Sequence, residues 1–368
     1  MAVDFEREVY CILGLPLDAV DMAGAVQRIR NAIAHRTPCF LSTPNLNWIV
    51  GCRADARFRE SVVNSDLSVV DGTPLVWIAR ALGIPIPERV AGSGLFERLR
   101  EDASTRLAVY FFGGESGVAE AACRKLNAES SGLTCAGSAY PGFGSVEEMS
   151  GDEVIAKINA SGADFIVVSL GARKGQMWIE RNQQRLVAPV ISHLGAVVNF
   201  VAGAARQAPA IVQRSGFEWL WRIKEEPKLW RRYFWDGLEF LQLLATRIVP
   251  YVWFLYRHEP TGQELATAAV EVCDEDGQVV IRMRGSWARE NLGILRKRLS
   301  EVSALERDIR MDLGRVSYVD SAFVGLLMLL HGHLLRRRRC LHIVHAPKAV
   351  LQVVKYCCAE YLCMTSPA

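Results

Sequence analysis

Three short polar corners in the first hundred residues carry chemistry-bearing side chains, two of them directly after apolar runs. Asp71-Gly72-Thr73-Pro74 follows Asp66-Leu-Ser-Val-Val70, and Thr43-Pro44-Asn45-Leu46-Asn47 follows Cys39-Phe40-Leu41. Arg89-Val90-Ala91-Gly92-Ser93 follows a proline-broken loop. A strand that stops in Asp-Gly leaves its carboxylate at the carboxyl edge of a sheet, where open α/β folds bind ligands. The same Asp71 could instead cap the helix that Leu75-Val-Trp-Ile-Ala-Arg80 begins. Three such corners on successive elements are what a small-molecule cleft looks like in sequence.

The elements around these corners read as an α/β layer. Val9–Leu13 is a short strand, followed by an amphipathic helix that Asp18 or Asp21 starts and that Val20, Met22, Val26, Ile29 and Ile33 stripe. Leu107–Phe112 is a buried strand ending in Gly113-Gly114-Glu115-Ser116-Gly117, then a helix. That geometry suits a diphosphate held by backbone N–H groups, and equally a plain strand-to-helix turn. Ala163–Leu170 is the next strand, closed by Gly171-Ala-Arg-Lys174-Gly175-Gln176. Ala188–Ser192 leads into His193 and, six residues on, Asn199. Alternating strands and helices across 9–205 predict a Rossmann-like domain with a mostly parallel sheet, the corners sharing one edge.

These residues, in this order, resemble the WecG/TagA/CpsF glycosyltransferases (family 26): Thr-Pro-Asn, then Asp-Gly, then Glu88-Arg-Val-Ala-Gly-Ser93. The likeness covers roughly 9–237. It implies transfer of a sugar from a UDP-sugar donor to a sugar already linked to undecaprenyl pyrophosphate, by an inverting reaction that needs neither metal nor cofactor. On that reading Asp71 is the general base, and Thr43, Asn45 and Asn47 position the sugars. Gly72, Gly92, Ser93, Gly113, Gly114 and the 171–176 loop with Lys174 and Gln176 hold the donor. Arg89 or a basic residue further on offsets the diphosphate charge. Two departures stand out. Gly175 and Gln176 replace the usual Gln and Glu of Gly-x-Pro-Lys-Gln-Glu, and Asn199 replaces an Asp before Phe. They motivate a rival reading, an inactive glycosyltransferase fold acting as a membrane-bound regulatory module. A dinucleotide-dependent oxidoreductase ranks third, because Gly113–Gly117 lacks the full glycine spacing and is not in the first βα unit.

Composition bounds these readings. A chain of 368 residues holds two or three domains, and a net charge of +3 is too small to argue for nucleic acid. The ten cysteines form no Cys-x-x-Cys pair and read as reduced residues of a cytoplasmic protein. Met1–Arg7 lacks the basic start of a secretory signal. Between 206 and 257, however, nine Lys/Arg face five Asp/Glu, and five of the nine tryptophans gather there. Aromatic and cationic side chains together suit a membrane interface. The alternative is a helix packed on the core with tryptophan as filler. Leu238–Tyr256 barely reaches across a bilayer, with Arg247 inside it and Pro250 expected to break it, so an interfacial helix is the preferred reading. The family resemblance extends through Gly216–Arg222 and Arg231–Tyr233. It assigns Arg214, Arg222, Lys224, Arg231 and Arg232 to the lipid-linked acceptor, at the cytoplasmic face of the inner membrane.

The expected organisation is a core at 1–206, this appendage at 207–257, a linker at 258–263 and a second α/β domain at 264–368. Met311–Leu327, around Asp320-Ser321-Ala322, resembles a STAS domain. Because Ala322 stands where phosphorylated members carry a second serine, no phosphorylation switch is expected. Ser321 reads as a helix cap, and Asp274-Glu275-Asp276 before Gly277 as a hairpin turn rather than a metal site. Arg336–Arg339 reads as a solvated helix end, with lipid phosphate the alternative. The Asp320-Ser321 loop and the helix after it are the expected contact surface for a protein partner or a second copy. Removing 264–368 is accordingly expected to spare transfer.

Overall fold

The computed structural model describes residues 4–209, 212, 216, 218–275 and 277–364. In chain order the first elements are β1 (Val9–Ile12), β2 (Leu15–Asp18), α1 (Met22–Ala34), β3 (Cys39–Ser42), α2 (Leu46–Ala54), α3 (Ala56–Val63), β4 (Leu67–Ser68), α4 (Thr73–Ala81) and α5 (Gly92–Glu101). They are followed by β5 (Leu107–Gly113), α6 (Val118–Glu129), β6 (Leu133–Ala139), α7 (Asp152–Ala160), β7 (Phe165–Ser169), α8 (Ala172–Asn182), β8 (Val190–His193) and α9 (Val197–Ala202). Six strands pair in the order β4-β3-β8-β7-β5-β6, every pair parallel. The central strands are buried on both faces, which is why they read as unbroken apolar runs. Their carboxyl ends all fall on one edge, as the Rossmann-like reading requires.

The first strand departs from expectation. Instead of joining the parallel sheet, β1 pairs antiparallel with β2 to form a separate ribbon. Of the two candidate caps for α1, Asp21 does the work, accepting from the Gly24 N–H at 2.7 Å. Asp18 ends β2 instead, where it is buried, pairs with Arg7 at 2.7 Å and accepts the Ser68 N–H. The cysteines are also not all reduced: Cys123 on α6 and Cys135 on β6 are disulfide-bonded, with Cα atoms 5.1 Å apart. Neighbouring elements bring them within bridging range.

The appendage contains α10 (Glu218–Glu225) and α11 (Trp230–Leu243), then a π-helical turn at Leu244–Ile248 that runs directly into α12 (Val249–His258). Pro250 does not break the helix, contrary to the sequence expectation. It sits in the first turn of α12, just past the π turn, where the lost N–H and the ring can be accommodated. The result is one helical stretch, Pro227–His258, of 32 residues, with an 18-residue window of mean hydropathy 1.3, long and apolar enough to cross a membrane by length and composition. One of its faces is nevertheless covered by protein. Tyr251 stacks on Tyr356 and Phe254 on Tyr318, while Arg247 donates to the Lys355 carbonyl and pairs with Glu360. The opposite face exposes Phe234, Trp235, Leu238, Leu241, Val249 and Trp253. Tryptophan is therefore not core filler here.

The rest of the chain is α13 (Gly262–Ala266), β9 (Ala269–Glu275), β10 (Gln278–Trp287), α14 (Gly293–Ser303), β11 (Ile309–Val319), α15 (Ser321–Arg336), β12 (Leu341–Val344) and α16 (Lys348–Tyr356). Its sheet runs β12-β11-β10-β9, with β9 and β10 a hairpin as expected. Asp276 lies outside the described residues, and Asp274 is held by Arg307 at 2.6 and 2.9 Å. Residues 258–263 end α12 and open α13, which Thr261 and Glu264 cap reciprocally.

The expected contact surface is not a free surface. Helix α15 is buried on nearly every side, and Asp320 rather than Ser321 is its cap, accepting from the Phe323 N–H at 2.9 Å. A helix that is apolar all round must be covered all round. Its own sheet covers one side, and β1 and α3 cover the other. A Cβ added at Gly325 would lie 2.5 Å from the Val9 carbonyl oxygen, and one at Gly332 would lie 3.0 Å from that of Val63. The two glycines thus let the backbones touch. Arg336 donates to the Asn64 carbonyl at 3.2 Å and Arg337 pairs with Glu306, so these two arginines serve the fold rather than lipid. One hydrophobic core runs through the ribbon, α2, α4, the appendage and the C-terminal sheet and helices.

Candidate active site

The three corners converge. The Asp71 N–H donates to the Pro44 carbonyl at 2.9 Å, which ties the Asp-Gly turn to the Thr-Pro-Asn turn. A Cβ on Gly72 would lie 3.4 Å from the Asn45 Cα, and one on Gly92 would lie 2.6 Å from the Leu194 side chain and 3.4 Å from the Thr43 methyl. The turns are therefore in van der Waals contact, and Gly92 is packed tightly under Leu194. Gly72, not Asp71, is the cap residue of α4, so the Asp71 carboxylate is not spent on capping. Its Oδ2 accepts the Gly92 N–H at 3.2 Å and its Oδ1 the Arg89 Nη2 at 3.3 Å. Burial pushes the carboxyl up to about 6, although Arg89 and the Gly92 N–H both pull it down. A carboxylate with that balance, one-fifth exposed beside a cation, is equipped to take a proton near neutral pH.

The remaining residues divide. Thr43 is buried beside Gly92. Asn45 caps α2 through the Trp48 N–H at 3.3 Å, and Asn47 donates to Asp236 on α11 at 3.1 Å. Ser93 lines a cleft of about 280 Å³ between α5 and α9, with Phe96, Glu97, Val197 and Phe200. Gly113 and Gly114 have φ of +98° and +88°, but the Gly114 N–H donates to the Ser169 carbonyl, so that amide is engaged in joining β5 to β7. Gly171 precedes α8 in open surroundings, and Lys174 reaches the Gly144 carbonyl. Gln176 is turned inward, fully buried and donating to Ser42 at 2.9 Å, away from the corners. Asn199 lies half-buried on α9.

The basic residues of the appendage stack on rings: Arg222 over Phe200, Lys224 over Trp221, Arg231 over Trp230 and Arg232 over Tyr233. Arg214 lies outside the described residues.

Three further residues were not singled out from sequence. Glu218 on α10 bonds Arg89 at 2.6 Å, and Asp236 holds Asn47. In the sequence both were only negative charges in a basic stretch. His193 ends β8, buried against Trp48 with ring centroids 5.9 Å apart, and burial lowers its pKa to about 4, so the imidazole is neutral. It also accounts for Gly175: a Cβ there would lie 2.2 Å from the His193 ring. The histidine occupies the room a glutamine would need.

Residues 10–251 match the model of the "Glycosyl transferase WecG/TagA/CpsF family". The chain belongs to that family. Residues 271–358 match a STAS model described as "Mlab, STAS domain". Among similar proteins is an N-acetylglucosaminyldiphosphoundecaprenol N-acetyl-beta-D-mannosaminyltransferase of Bacillus spizizenii. It is 26% identical over 194 residues, which cover 52% of this chain and 74% of the relative. A protein of the same name from Staphylococcus aureus strain MW2 is 25% identical over 224 residues, covering 60% and 85%. The family match spans every corner described above and most of the appendage, but ends before the STAS domain begins.

Proposed function

We propose that this protein transfers a sugar from a UDP-sugar to a saccharide carried on undecaprenyl pyrophosphate, as a peripheral enzyme of the cytoplasmic membrane face. The observation that carries the proposal is Asp71, not used to cap the helix α4 that follows it, held by Arg89 and the Gly92 N–H where three corners meet. The names of the relatives supply the acceptor class. In the proposed step Asp71 takes the proton of the acceptor hydroxyl as its oxygen bonds the anomeric carbon. The bond to the UDP oxygen breaks on the opposite face, and the departing pair stays on the diphosphate. Inversion follows from that single displacement, and no metal is required by it. Arg89 offsets the growing diphosphate charge, and Thr43 and Asn47 orient the sugars. Of the two departures behind the inactive-module alternative, Gly175 is accounted for by the packing of His193, while Asn199 remains its motive.

The test is a screen of UDP-sugars with purified full-length protein and a lipid-pyrophosphate-sugar acceptor, read by mass spectrometry across pH. With a productive donor, kcat/KM is expected to fall as pH drops through about 6, where Asp71 takes up its proton. No transfer from any donor, or an acid limb well away from that value, counts against the proposal.

Membrane attachment rests on the open face of Pro227–His258. Half-burying an indole of Trp235 or Trp253 in the headgroup layer is worth about 2 kcal/mol by apolar area. Trp235→Ser and Trp253→Ser are therefore each expected to weaken sedimentation with anionic vesicles by roughly tenfold or more. Unchanged binding in the double variant would move the attachment elsewhere.

A further inference from the structure

We propose that Glu218 is a positioning residue for the transfer, holding Arg89 between two carboxylates so that Asp71 keeps its strength as a base. The inference rests on the reading of Asp71 as the base. A single nitrogen, Arg89 Nη2, lies 2.6 Å from Glu218 Oε2 and 3.3 Å from Asp71 Oδ1. The three side chains are each only about one-fifth exposed, so solvent screens them weakly. A guanidinium committed to Asp71 alone would stabilise the carboxylate and blunt it as a proton acceptor. Drawn toward Glu218, it stays close enough to meet a diphosphate while its hold on Asp71 is loosened.

Among the described residues, the charges facing Asp71 are Arg89 from the loop before α5 and Glu218 from α10. The start of α5 contributes the Gly92 N–H, and the β3–α2 corner contributes only the uncharged Thr43 and Asn45. Glu218 pushes the Asp71 carboxyl up, and Arg89 pulls it down. Glu218 also belongs to the appendage, not to the parallel-sheet core. With the Asn47–Asp236 bond it makes a second tie between appendage and cleft. The base is thus at its working strength only while α10 is seated on the corners.

The test uses the full-length protein with the donor found above, comparing Glu218→Gln and Glu218→Asp with wild type. Loss of the negative charge is expected to shift the acid limb of kcat/KM to lower pH by about half a unit to one unit. The plateau kcat should fall about two- to fivefold, as a weaker base requires, with KM changed less. Glu218→Asp should recover part of both effects. A Glu218→Gln profile that superimposes on wild type overturns the inference. So does a variant that loses stability and rate together with the limb unmoved, which is what a merely structural contact would give. Asp71→Asn run in parallel separates the layers. If it is inactive while Glu218→Gln is unshifted, only the role of Glu218 falls. If it stays active, the base assignment fails and takes this inference with it.

Discussion

Asp71→Asn is expected to lower kcat/KM by about a hundred- to ten-thousandfold, the range that removal of a general base spans. Asparagine matches the carboxylate in shape and can still accept the Gly92 N–H, so the three corners should remain assembled. The stability effect has a definite sign. Asp71 titrates near 3.8 when unfolded and at about 6 in the fold, so the folded state favours the protonated form. Its stabilising contribution is complete below pH 3.8 and is lost as pH rises through about 6. At pH 8 the ionised carboxylate is therefore a cost that the neutral amide avoids. The Tm of Asp71→Asn at pH 8 should equal or exceed that of wild type while turnover collapses. A variant with near wild-type turnover, or one inactive only because it is unfolded, would remove Asp71 from the proposed mechanism.

Removing 264–368 is expected to abolish soluble, folded protein, the opposite of what the sequence suggested. On the appendage alone it would uncover Ile248, Tyr251 and Phe254, all at most 5% exposed. At about 1.5–3 kcal/mol for each large apolar side chain, that is about 5–9 kcal/mol, comparable to the stability of a whole domain. The outer faces of β1 and α3 would be bared as well. Gly325→Leu makes the same test with one residue, because its side chain must displace the Val9 backbone. Soluble yield, circular dichroism and turnover measure both variants. A soluble 1–263 fragment with wild-type turnover would show that the shared core is dispensable.

Much of the site was legible because its signals are local. Two of the corners are apolar runs ending in Asp, Asn, Gly or Pro, and a parallel sheet puts such ends on one edge; the third, at Arg89, follows a proline-broken loop. What was illegible depends on partners distant in sequence. Nothing near Glu218 announces Arg89, 129 residues away, and nothing near Asp236 announces Asn47. Val9–Leu13 reads as a strand, but only the turn that follows decides that it pairs with Leu15–Asp18 rather than with the sheet. Pro250 reads as a stop because the π turn that accommodates it leaves no mark in the pattern. The all-apolar α15 did announce burial. The sequence does not say what covers it, and the cover comes from the N-terminal part of its own chain rather than from an external partner.

Where the long helix touches the cleft has a consequence for encounter with the substrate. Asp236, bonded to Asn47, adjoins exposed Trp235, and from there the open stripe runs 21 residues to Tyr256, about 30 Å of helix. A face of that length lying in the headgroup layer would keep the mouth of the cleft at the depth where a lipid-borne pyrophosphate resides. The acceptor would then arrive by lateral diffusion in a plane rather than from bulk solution, at a local concentration fixed by its surface density. The C-terminal sheet, by gripping the other side of the same helix, fixes its roll about its own axis. One rotational setting would present the cleft to the lipid, and the contacts of Arg247, Tyr251 and Phe254 hold the helix in a single setting.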